Sequence, residues 1–266
     1  MEAPVHWRWC KPHPSCLRIP PALRRIGSMS LFFVQLCTRI FPAFTKPGLI
    51  VRQIYNAGAR SLVIIMLSGM FVGMVLGLLG FDVFQRFGSE DYVGVLAALG
   101  NLKVLGPVLT ALLFAGRAGT SLTSEIGLMK STEQLTAMQM MAVDPVRYVV
   151  VPRFLGGCIA MPLLSATFTL IALYGAQLIG VQQMGVDAGA YWSQTQNAVD
   201  LHDVWEGVVK SLVFGIAVSL VAVYEGYHAE STPEGVGLAT TRTVVTSSVL
   251  VLLLNYLLTA AFLTTK

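Results

Sequence analysis

Catalysis, metal ligation and nucleotide binding each need a defined set of side chains at a defined spacing, and the ionisable residues of this chain form none of those sets. His6, His13, His202 and His228 fall in predicted loops or in the N-terminal tail, which leaves a two-histidine haem site inside a helical bundle unsupported. Cys10, Cys16, Cys37 and Cys158 show no CxxC pair and no metal-ligand spacing, so they read as unpaired thiols and no metal site is expected. A glycine loop ending in Lys-Ser/Thr is missing, and with it Walker-type binding of ATP; a GxSxG nucleophile turn is missing too. An enzyme is therefore not the expectation.

The informative residues are those whose placement is costly. Lys103 falls near the middle of an apolar run, where a charge usually meets a cavity, a partner or a headgroup. It could meet a lipid phosphate or snorkel to an interface. Leu76, Val83, Phe84 and Phe87 fall near one face of the preceding helix if that helix runs past Phe81. They would give Lys103 and its neighbour Val104 an apolar wall for an acyl chain, or simply a helix-packing surface. Arg117, Ser121 and Ser124 share a face at spacings of four and seven, with Glu125 just off it, forming either a movement relay or a static polar network at a helix end.

A third group lies in the polar stretch 115–153. Ser131-Thr132-Glu133-Gln134 opens a helical series of Leu135, Met138, Met141 and Ala142, with either hydroxyl a possible cap, and Asp144-Pro145 ends it. A short helix that is polar on one side and Met-rich on the other suits docking on another protein, or lying flat on a bilayer.

These residues need a scaffold, and composition names its class. With 55% apolar and 12% charged residues and a mean hydropathy of +0.68, the chain belongs in a membrane. The net charge of +4 does not point to nucleic acid, because the basic residues form no patch interleaved with aromatics. Five runs are long enough to cross the roughly 30 Å hydrocarbon layer, at about 61–81, 93–114, 154–181, 208–224 and 243–263. Gly69, Gly73 and Gly77 recur every fourth residue in the first of these, leaving a strip without side chains for a neighbouring helix. Pro162 is expected to kink the third run.

Residues 1–28 are rich in Pro and Arg and read as a disordered tail or an upstream-start extension, with residues 29–266 as one integral domain. Residues 30–55 mix Phe, Leu and Ile with Arg39, Lys46 and Arg52, as expected of a helix lying at the headgroups and broken at Pro42 and Pro47. Lys and Arg of the connecting segments, among them Arg117, Lys130, Arg147, Arg153 and Arg242, fall mainly on the side of the N-terminus. That side is then cytoplasmic and the C-terminus lies outside.

Several of these residues also carry a likeness. Ala115-Gly116-Arg117-Ala118-Gly119, Ser124-Glu125-Ile126-Gly127-Leu128-Met129, Thr132-Glu133-Gln134, Asp144-Pro145-Val146-Arg147-Tyr148 and Val151-Pro152-Arg153 resemble the signature of the MlaE/YrbE permeases of MCE-type lipid ABC transporters. A second loop agrees, with Glu225-Gly226-Tyr227, Gly235-Val236-Gly237 and Ala239-Thr240-Thr241-Arg242-Thr243. The resemblance implies an all-α, five-span permease of the bacterial inner membrane. It would form a homodimer and hold a glycerophospholipid in a cavity lined by Leu76, Val83, Phe84, Phe87, Lys103 and Val104. It implies a coupling helix, within Gly127 to Tyr148, whose Glu133, Met138, Met141, Asp144 and Arg147 meet a cytoplasmic MlaF-like ABC ATPase. Arg117, Ser121, Glu125 and Arg242 would form the polar network behind it. ATP and Mg would be used by that ATPase alone, an MlaB-like STAS protein would bind it, and an MlaD-like hexameric MCE ring would sit on the periplasmic side. The alternative is a membrane anchor that holds such an ATPase without transporting anything. Val104 stands before Leu105-Gly106-Pro107 where family members usually carry Glu, so that carboxylate's role does not carry over.

Overall fold

In the computed structural model, residues 21–39, 47–86, 88 and 92–264 are described, and these are helical with no strand among them. Residues 1–20, Pro42 and Phe87 lie outside the described residues. Five helices are long and apolar enough to span a bilayer: Val51–Gln85, Val93–Ser131, Val146–Gln182, Leu201–His228 and Pro233–Thr264. Each contains one of the expected runs, and each is longer than it. Hydropathy finds only the part that sits in hydrocarbon, while the helices continue into polar sequence at their ends. The fourth span is the axis of the bundle, with 67% of its most apolar window buried, against 22% and 11% for the first and fifth.

Backbone contact between the first and third spans follows from the glycine strip. A Cβ on Gly69 or Gly77 would come within 2.9 Å of the carbonyl oxygen of Phe168 or Ala176, and one on Gly73 would run into the carbonyl of Ala172. Residues at every fourth position thus face each other on both helices, and side chains are excluded so that the axes can approach. Around the third and fourth spans, Phe114, Ala160, Met161, Leu164, Phe168, Phe214 and Val218 fill the interior. Helix continues on both sides of Pro162 in the third span.

A helix over Pro21–Thr38 precedes the spans and takes in residues 21–28, which composition assigns to a disordered tail. Pro21 occupies its first turn, where a missing N–H costs nothing. Phe32 and Leu36 are buried beneath it against the end of the fourth span, and the hydroxyls of Ser28 and Tyr224 lie 2.6 Å apart. Helix resumes at Pro47 and leads into the first span.

Four places in the spans are wound as π-helical turns: Tyr55–Ala59, Asn101–Leu105, Ala115–Gly119 and Val146–Val150. An extra residue in a turn re-aims the side chains beyond it and often marks function. Three of the four carry a cation picked out from the sequence: Lys103, Arg117 and Arg147.

Candidate functional site: a polar loop face and a buried ion-pair layer

At the end of the bundle shared by the N-terminal helix and residues 115–153, the second span continues unbroken to Ser131, well beyond Phe114. Its Ser121 hydroxyl donates to Glu125 Oε1 at 3.4 Å, and Arg153 Nε donates to Glu125 Oε2 at 3.2 Å. Arg117 lines the same small polar recess with Arg60, Gln53 and Asn56. Arg242 is exposed on the fifth span, and among the described residues no bond joins it to this group. Arg153, to which sequence spacing gives no role, is the residue that ties the second span to the third here. Above it, the Thr123 hydroxyl lies 2.9 Å from both the Ala222 carbonyl and the Thr243 hydroxyl, joining the second, fourth and fifth spans.

The expected short helix is present over Gln134–Met140, but its caps differ from expectation. Ser131 and Thr132 donate their hydroxyls back to the Leu128 carbonyl, closing the preceding helix instead of opening the next. The helix starts after Glu133, which is exposed and left-handed at φ 56°, and it ends before Ala142, left-handed at φ 57°. Asp144 does not terminate it: its carboxylate accepts from the Val146 N–H at 3.1 Å, starting the third span, and pairs with Arg39 at the end of the N-terminal helix. Arg147 lies over the Tyr148 ring, 5.6 Å from its centroid.

The methionines divide. Leu135 and Met138 pack inward against Val146, Val149 and Phe154, whereas Met140 and Met141 are 85% and 67% exposed. Met140 and Met141 therefore face outward, while the half-buried Met138 packs against the protein's own core. The helix stops at Met140, so Met141 leaves the helical phase that would have set it beside Leu135 and Met138.

Near the opposite end of the spans lies a layer of buried charge. Asp203, Glu206 and Lys210 occupy one face of the fourth span at spacings of three and four. Lys210 is 0% exposed, and its Nζ donates to Glu206 Oε1 at 2.6 Å, to the Lys103 carbonyl at 2.9 Å and to Thr259 Oγ1 at 3.1 Å. Lys103 Nζ reaches Asp203 Oδ1 at 2.8 Å. Pro107, four residues on, has no N–H to give the Lys103 carbonyl, which leaves that oxygen open to Lys210. His202, Asp203 and Glu206 come within 4.8 Å of one another, but each carboxylate already faces an ammonium group, so the charge a cation would neutralise is neutralised.

Lys103 thus turns into the bundle, away from the wall expected for it on the first span. On that span Leu76 is half-buried, Val83 is exposed, and Phe84 sits with its ring 6.5 Å from that of Tyr92. Val104 is exposed on the second span. Lys210 and its partners are the functional candidates that sequence reading missed. Asp203 and Glu206 read as loop residues because the fourth apolar run begins at Val208, yet an i, i+3, i+7 set of charges leading into an apolar helix was a usable signal.

With this geometry in place, likeness to known proteins fixes the lineage. Residues 50–261 match the family model described as Permease MlaE. The intermembrane phospholipid transport system permease protein MlaE of Haemophilus influenzae is 52% identical over 213 residues, covering 80% of this chain and 82% of that protein. A probable ABC transporter permease protein of Rickettsia felis is 37% identical over 237 residues, with 89% and 92% covered, and one from Synechocystis is 32% identical over 208 residues, with 78% and 79% covered. The matched stretch takes in the first four spans, nearly all of the fifth, the polar network around Glu125 and the buried ion-pair layer, and on this ground the chain belongs to the MlaE permease family.

Proposed function

We propose that this chain is the permease of an ATP-driven transporter that moves glycerophospholipid between the bacterial inner membrane and a periplasmic MCE-domain ring, maintaining outer-membrane lipid asymmetry. The observation that carries this reading is the 52% identity to a protein named as a phospholipid transport permease. In this reading the chain spans the inner membrane with its N-terminus in the cytoplasm and its C-terminus in the periplasm. Two copies pair, which accords with the apolar, outward faces of the first and fifth spans, where Leu67, Phe71, Val249 and Leu253 are exposed. The substrate lies between the copies, against Leu76, Val83 and Val104.

ATP and Mg act in a separate MlaF-like subunit that binds an MlaB-like STAS protein, and an MlaD-like hexamer exchanges lipid with the permease on the periplasmic side. The ATPase holds the Gln134–Met140 helix through Met140, Met141 and the exposed Glu133. Rigid connection to the third span runs through Leu135, Met138 and Asp144, so ATPase closure acts on the bundle through a packed lever that favours one of two arrangements. The test is transfer of a labelled phospholipid by the reconstituted complex. ATP-dependent movement, lost when the ATPase lacks its catalytic carboxylate, is the expected result. A complex that assembles and hydrolyses ATP but moves no lipid, beside an active homologue, would establish a non-transporting anchor instead.

A further inference from the structure

Between the second, third and fourth spans of a single chain lies a cavity of about 310 Å³. We infer that this crevice takes one acyl chain of a bilayer phospholipid, entering sideways, at a site distinct from the substrate space between two copies. Its mouth is formed by Ala166 and Leu170 of the third span and Val204 and Val208 of the fourth, all exposed on the flank of the bundle. Its floor is buried, at Ala98, Pro107 and Gly207.

Position, chemistry and size together select the occupant. Leu170 lies 12 residues before the end of the third span at Gln182, about 18 Å along the helix axis at 1.5 Å per residue. The mouth therefore runs from near the start of the fourth span, at Val204, into the hydrocarbon, in the half of the bilayer away from the Glu125 network. Apart from Ser165, Thr169 and Ser211 the lining is apolar, and the hydroxyls of Thr169 and Ser211 donate to carbonyls of their own helices at 2.9 and 2.8 Å, which leaves little to hold a headgroup. A dry apolar cavity left empty forfeits contacts along its whole lining, and at this depth the surrounding medium supplies methylene chains. A helix about 10 Å across with its side chains is too wide to enter. A single tail, made of groups about the size of a water molecule at roughly 30 Å³ each, fits for a good part of its length.

The inference goes beyond the transport reading and does not depend on it. The test uses the full chain in nanodiscs without ATP, with phosphatidylethanolamine carrying a diazirine midway along one tail, and maps adducts by mass spectrometry. Expected are adducts in residues 166–173 and 204–211 several-fold above those at Ile159 and Leu163, which are exposed on the third span outside the crevice. Ala166→Trp and Val208→Trp, one from each lip, each lower the crevice adducts several-fold and leave those at Ile159 and Leu163 unchanged. Uniform labelling of all outward faces in the unmodified chain would overturn the inference, as would crevice labelling that persists in a folded Trp variant. Because the wild-type ratio is read first, misfolding of both variants does not remove the test. Lipid transfer measured separately can fail while the adduct pattern holds, and the reverse.

Discussion

Lys210 is the residue whose removal has the largest predicted cost. Its ammonium group is wholly buried, and Glu206 at 2.6 Å supplies the opposite charge. Desolvation makes such a pair a poor source of net stability, but removing one partner strands the other charge in a medium that cannot solvate it, at about 3–5 kcal/mol. Lys210→Met should therefore lower the thermal midpoint in detergent sharply, and the double variant Lys210→Met with Glu206→Gln should recover most of the loss. If the single variant alone is as stable as the parent, the pair is not buried as described. Tyr191, on the short helix Ala188–Ala198 between the third and fourth spans, gives a milder test. Its phenol donates to the Leu173 carbonyl at 3.1 Å, and burial pushes its pKa up to about 12. A raised acid pKa means that the folded state favours the neutral form. The contribution is whole below the unfolded value of about 10 and disappears as pH rises to about 12. Stability measured by chemical denaturation should fall across that window. In Tyr191→Phe the fall should be smaller, on a baseline lowered by about 1 kcal/mol for the lost hydrogen bond.

Among the elements, the first and third spans and the Gln134–Met140 helix make separable predictions. A side chain at Gly73 meets backbone, which cannot turn aside as a flexible side chain can. Gly73→Ala should cost about 1–3 kcal/mol through forced separation of the two helices. Gly58→Ala, whose Cβ would rest 3.7 Å from Ala160, should be tolerated, and thermal unfolding of the two variants side by side decides. In the short helix, burial divides the methionines that spacing had grouped. Met140→Asp with Met141→Asp should abolish co-purification of an ATPase while leaving the thermal midpoint nearly unchanged. Met138→Asp should instead destabilise the chain itself, because Met138 packs on Val146 and Phe154. Equal loss of partner and fold in both variants would show that the exposed pair is not the docking face. The division was not legible in the sequence, since a one-residue shift in where a seven-residue helix stops rotates Met141 out of phase with Leu135, and hydropathy cannot register that. The spans were legible because uninterrupted apolar length has few alternatives in a chain of this composition. The ion-pair layer was hidden for the complementary reason: its charges shorten the apolar run that would have placed them within the span.

At the scale of the whole molecule, everything proposed about coupling rests on which side of the bilayer holds the Gln134–Met140 helix. Fourteen Lys and Arg residues that precede the first apolar run, or fall between the second and third or the fourth and fifth runs, argue for the cytoplasm. The fold adds that this end is one packed body. Phe32 and Leu36 of the N-terminal helix, Leu135 of the short helix and Tyr224 of the fourth span share a core, and Arg39 pairs with Asp144, so the whole end lies on one side together. Topology can therefore be read from two exposed positions at opposite ends of the bundle. With the four native cysteines replaced by serine, Thr136→Cys marks the short helix and Trp192→Cys marks the helix between the third and fourth spans; both positions are exposed. A membrane-impermeant maleimide added to cells with a permeabilised outer membrane should label Trp192→Cys at once, and Thr136→Cys only after the inner membrane is opened. Labelling of Thr136→Cys in sealed cells would put the short helix beyond reach of a cytoplasmic ATPase. The lever would then have nothing to push it, however well the spans are packed.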